Sequence, residues 1–157
     1  MVIQGQSGLS LIEMMVSIAI MMLLALAVAP FASSWGSQAA VRQTQHMLQQ
    51  AMSQLKASAL RNPSGVSASA AAVLVSVPGQ LCVRDGLPAA LDCGQAGQSG
   101  WTALPPASIK LNGAFSQCVA LDSAGMPVAA SIGGVNCGTS MSFSISKGTE
   151  SSDGTLY

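Results

Sequence analysis

Gly8-Leu9-Ser10-Leu11-Ile12-Glu13-Met14-Met15-Val16 opens an apolar run that ends near Trp35. Between Leu9 and Trp35 the sole ionisable side chain is Glu13, and from Met14 to Ala29 nothing is more polar than Ser17. With its flanks the run is long enough to cross a bilayer as a helix. A charged side chain inside such a segment costs roughly 2.5–3.5 kcal/mol even on lenient insertion scales, so it marks a partner or a function. No Lys or Arg precedes Arg42. A cut between Gly8 and Leu9 would release an α-amino group four residues before Glu13, available to its own carboxylate or to that of the next subunit in a stack. In an apolar bundle that pair is weakly screened, and an unmatched carboxylate is costly.

These residues resemble the class III signal of type IV prepilins and type II secretion pseudopilins. That signal runs Gly, a hydrophobic residue, Thr or Ser, Leu, Ile, Glu, then an apolar helix. Pro30 falls where those helices usually carry a proline. The resemblance implies cleavage after Gly8 by a prepilin peptidase, N-methylation of Leu9, and pairing of Glu13 with the Leu9 amine of a neighbouring subunit. Two departures are visible. Leu9 replaces the commoner Phe or Met, and residues 1–7 lack the usual Lys or Arg, which weakens the positive-inside cue. An ordinary secretory signal is the rival reading, because Ala27-Val28-Ala29 has the small-x-small form of a cleavage site. Against it stand Pro30 directly after that site, Glu13 inside the segment, and no basic n-region.

Charged residues are 8% of the 157 and the formal net charge is zero, which argues against a protein selected for broad nucleic-acid binding. Aromatic residues are 4%, so a core must be built from small side chains at close range. The nine methionines read as core filling in a lipid or helix-bundle setting. All four cysteines, Cys82, Cys93, Cys118 and Cys137, lie beyond the apolar run. An even count in an exported domain points to two disulfides with three connectivities open. Pairing of neighbours, Cys82 with Cys93 and Cys118 with Cys137, closes two short loops without threading and is the preferred one. No metal site is expected: there is no CxxC, and the single histidine, His46, is remote in sequence.

Pro30 should interrupt the helix, since it cannot donate to the residue four back and its ring crowds that turn; the sequence alone favours a kink at the membrane exit, while the family resemblance suggests a segment that unwinds when subunits pack. Helical spacing returns after Ser37, with Val41, Thr44, Leu48, Ala51, Met52, Leu55 and Ala59 at steps of three and four. Polar residues, His46 among them, fill the other faces, so this is an amphipathic helix lying against the domain that follows. Asn62-Pro63-Ser64-Gly65 ends it. Short strand-like runs follow at regular spacing: Ala70–Val77, Gln80–Val83, Trp101–Leu104, Ser108–Leu111, Gln117–Leu121, Val128–Ile132 and Met141–Ser146. Gly, Pro and Asx turns separate them, and Leu87–Gly100 reads as a loop held by Cys93.

The fold class expected is therefore α+β: a pilin-like long helix packed on an antiparallel β-sheet domain. The domains expected are a leader at 1–8, a transmembrane and filament-core helix at 9–35, an amphipathic helix at 36–62, and a periplasmic β-domain at 63–157. More narrowly, Ala57–Asn62, Trp101 and Cys118–Pro127 resemble minor pilins and pseudopilins of the FimT, FimU and GspH group. Some FimT-like pilins bind DNA through a basic C-terminal motif, but the tail Lys147–Tyr157 holds one base and two acids, so that ligand is not carried over.

No catalytic set is visible. Asp85, Asp92, Asp122 and Asp153 sit in turn-like contexts, and no histidine lies in the β-domain. The function expected is a structural subunit of a type IV pilus, a minor pilin first. A type II secretion pseudopilin comes second, then a major pilin, then a membrane-anchored periplasmic module binding ligands through Leu87–Trp101. Partners expected are other pilins through the N-terminal helix, prepilin peptidase and the inner membrane, with no cofactor.

Overall fold

The seven positions spaced along one helical face between Val41 and Ala59 are all buried in the computed structural model, and His46 on the opposite face is exposed. The structure describes residues 10–67, 69–94 and 100–156. A single helix, α1 (Leu11–Arg61), is followed among the described residues by ten short strands. The chain divides between Trp35 and Gly36 into two compact units.

In the first unit, α1 runs through Pro30 without a break. This corrects the interruption expected there. A proline removes one N–H, here the donor to Leu26 carbonyl, and the hydrogen-bond ladder continues in the turns on either side. The 25 helical residues from Leu11 to Trp35 give a length of roughly 37 Å at 1.5 Å per residue, enough to span the ~30 Å hydrocarbon core.

The second unit stacks three layers. The helical stretch from Gly36 onward lies on one face of a five-stranded sheet ordered β3-β2-β1-β5-β6. Its members are β1 (Ala72–Val77), β2 (Gln80–Asp85), β3 (Thr102–Ala103), β5 (Gln117–Leu121) and β6 (Pro127–Val128). A three-stranded sheet, β10-β9-β4, closes the same core, with β4 (Ser108–Leu111), β9 (Ser142–Lys147) and β10 (Glu150–Thr155). A two-stranded ribbon joins β7 (Ser131–Ile132) to β8 (Val135–Asn136). Every pairing is antiparallel.

Because side chains alternate along a strand, β1 serves two cores at once. Ala72 and Leu74 join Leu48, Leu55, Leu121, Ile109 and Ile145 on the helix side. Val73 and Val75 face the opposite layer with Cys82, Cys118 and Ile132. Small residues at Ala51, Ala59, Ala71 and Ala72, all fully buried, let helix and sheet approach closely. In register, Val75 lies between Cys82 on β2 and Cys118 on β5. Those two cysteines reach outward to bond Cys93, with Cα atoms 5.8 Å apart, and Cys137, with Cα atoms 4.5 Å apart. The connectivity is thus between neighbours, and both bridges fasten irregular chain onto the outer face of the sheet.

Turn chemistry places the strands. Pro78-Gly79 joins β1 to β2, with Gly79 at φ 75°, the left-handed position that glycine takes after proline in such a turn. Asn62 ends α1 at φ 43°, its N–H reaching Ser58 and Ala59 carbonyls and its side chain exchanging two hydrogen bonds with the Val66 backbone. Thr44, fully buried, donates to Ala40 carbonyl (2.8 Å) and accepts from Ala107 N–H (3.2 Å), which ties the helix to the chain entering β4.

Candidate functional site

The functional candidate is the start of α1. Ser10 sits just outside the helix, and its carbonyl accepts from the N–H groups of Glu13 (3.0 Å) and Met14 (3.2 Å). Leu11 is the first helical residue, so Glu13 occupies the third position of the first turn. Ser-x-x-Glu at this spacing is the capping-box pattern, and an acid in the first turn also suits the positive end of the helix dipole. From the sequence, Glu13 is expected only as the partner of an amine, its own chain's or a neighbour's. The Ser10 to Glu13 spacing was the available signal for that pattern.

From Ser10 to Val28 every side chain is exposed in the subunit, Leu11 at 78% and Met21 at 71%. Glu13 is exposed with them. Ser17, the one polar side chain between Met14 and Val28, donates its hydroxyl to Glu13 carbonyl at 2.7 Å. A continuous apolar surface of this size is consistent with anchoring in a membrane and with packing against other helices. This is the one described helix long and apolar enough to cross a membrane.

Gly8 and Leu9, the residues at the expected cleavage and methylation point, lie outside the described residues, and only the backbone of Pro30 is described. Glu13, in the first turn of α1, follows Leu9 by four residues in sequence. Cys82, Cys93, Cys118 and Cys137 belong elsewhere, in the β-domain layer already described. They are bonded to one another, and among the described residues no group of three or more His, Cys, Asp or Glu side chains gathers to hold a metal.

The β-domain adds two strands that the sequence reading had not marked, β8 and β10, and splits Val128–Ile132 between β6 and β7. Glu150–Thr155, taken as a polar tail, pairs along its length with β9. Its Gly154 sits opposite Phe143, where a Cβ would lie 2.7 Å from the ring.

Residues 3–29 match the family model for the prokaryotic N-terminal methylation motif. No curated protein and no solved structure matches the chain. The matched residues take in the Gly8-Leu9 junction, Glu13 and the exposed apolar turns that follow. The chain thus carries the prokaryotic N-terminal methylation motif on a pilin-like α+β fold, and motif and fold together point to a structural subunit of the type IV pilin or pseudopilin kind.

Proposed function

We propose that this chain is a minor pilin that primes or joins assembly of a type IV pilus. The observation that carries the reading is the exposed apolar surface from Leu11 to Val28, with Glu13 in its first turn, shortly after Gly8-Leu9 in sequence and within the matched motif. Before assembly that helix holds the subunit in the inner membrane, and the β-domain lies in the periplasm. The two disulfides support that compartment, because such bonds persist in an oxidising space. Prepilin peptidase removes residues 1–8 and methylates Leu9.

Assembly then exchanges lipid for neighbouring helices around the same side chains. Hydrophobic burial alone barely distinguishes these two surroundings, since lipid tails are as apolar as leucine. What the filament adds is close packing and a partner for the acid. The new Leu9 amine of one subunit meets Glu13 of the next, which removes an uncompensated charge from an apolar interior. The helical turn at Pro30, short of one hydrogen bond already, is where the helix loosens as subunits pack.

Quantitative mass spectrometry of sheared surface fibres tests the minor-pilin assignment. A few copies per fibre, alongside a dominant different subunit, are expected. Abundance equal to that of the dominant subunit would make it the major pilin. Absence from fibres, with recovery in a type II secretion complex, would make it a pseudopilin.

A further inference from the structure

A cavity of about 310 Å³ opens between the end of α1 and strand β2, walled by Gln54, Ser58, Arg61, Val83, Asp85 and Trp101. Gln54, Ser58 and Arg61 recur at steps of four and three, so they share one helical face. Val83 and Asp85 are alternate residues of β2 and share one sheet face. Trp101 is held against β2 by the Val83 N–H, which donates to its carbonyl at 2.8 Å. Gly100 completes the wall: a Cβ there would lie 2.2 Å from Val83 carbonyl oxygen, so only glycine lets the chain come this close. Ser58 donates its hydroxyl to the Asp85 carboxylate, which fixes that acid at the cavity's side. The indole is half-buried and packs on the main core, so its ring is a fixed platform.

The lining decides the ligand. One guanidinium and one carboxylate cancel in formal charge, so the cavity favours neither a polyanion nor a cation. Gln54 offers an acceptor and two donors, Arg61 donors, and Asp85 an acceptor. An apolar guest would strip water from these groups and give nothing back. A ring with several hydroxyls on its rim and C–H bonds on its face satisfies both parts, the rim against the polar groups and the face against the indole. At about 310 Å³ the cavity is at the small end of ligand sites, with room for one ring.

We propose that this cavity binds a single neutral pyranose, such as the terminal sugar of a glycan. The site is independent of the pilus reading, since none of its residues belongs to the apolar helix start. The full chain in lipid nanodiscs, free of glycoside detergents, is titrated with the methyl pyranosides of glucose, galactose and mannose. Saturation-transfer NMR on the sugar and Trp101 fluorescence in a Trp35→Phe background report binding. Expected are millimolar affinity for at least one sugar and transfer concentrated on its ring C–H protons. Gln54→Ala and Arg61→Ala should each weaken binding by roughly tenfold with the thermal midpoint unchanged. Trp101→Phe keeps a smaller ring and weaker binding. The proposal is overturned by no transfer from any of the sugars, by unchanged affinity in both polar variants, or by binding of free amino acids or inorganic phosphate in place of sugars.

Discussion

Glu13 stands in the first turn of α1, in a capping-box pattern with Ser10, and under the proposed function it is also the acid that an amine would meet, two roles that one substitution would confuse. A pair of variants separates them. Glutamine keeps a capping-box side chain and loses the charge, whereas alanine loses both. If charge pairing drives assembly, Glu13→Gln and Glu13→Ala both insert in the membrane and both fail to enter fibres. Immunoblots of membrane and sheared-fibre fractions check this, and normal incorporation of Glu13→Gln would reduce the acid to a helix cap. Two other residues have stability roles that their types alone do not announce. Thr44→Val leaves the buried Ala107 N–H without its acceptor and should cost about 1–3 kcal/mol, while Thr44→Ser should cost less. Gly154→Ala drives a methyl group into the Phe143 ring and should cost about 1–3 kcal/mol. Thermal unfolding followed by circular dichroism measures both.

At the scale of elements, legibility follows how much the local sequence must commit to a face. The helical stretch beyond Ser37 was readable because seven positions spaced at three and four had to be buried, and all seven are. β1, β2, β5 and β9 were readable from β-branched or alternating residues that fill a core. β10 was not, because it is an edge strand of Glu, Ser, Asp, Gly and Thr whose pairing is dictated by β9 and whose one inward glycine makes way for an aromatic ring. Pro30 misled for the opposite reason. A strong local breaker costs the ladder one bond, and the turns around it are long and apolar enough to carry the helix through. In the candidate site the acid and the apolar turns were legible, since a lone charge in such a run has few explanations. The Ser10 cap was present in the spacing but masked by the stronger signal beside it. The two disulfides staple elements that bury little: the chain after β2 and the β7–β8 ribbon. Replacing Cys118 and Cys137 together by serine should cost about 3 kcal/mol and lower the thermal midpoint, with reductant giving no further shift from that bridge.

The whole molecule joins two units with opposite surfaces. One presents apolar side chains on every side of its helix, and the other encloses its apolar residues between helix, sheets and disulfides. The apolar surface of the first unit is consistent with membrane anchoring and with helix packing in a filament, and under the proposed function the acid at the helix start is what favours the filament. That reasoning stands on an amine appearing at Leu9. Top-down mass spectrometry of the protein recovered from sheared appendages tests it most directly. The account predicts a mature chain that begins at Leu9 with one methyl group on its amine. A chain that begins at Val28 or Pro30, or that retains residues 1–8 in the fibre, would contradict it.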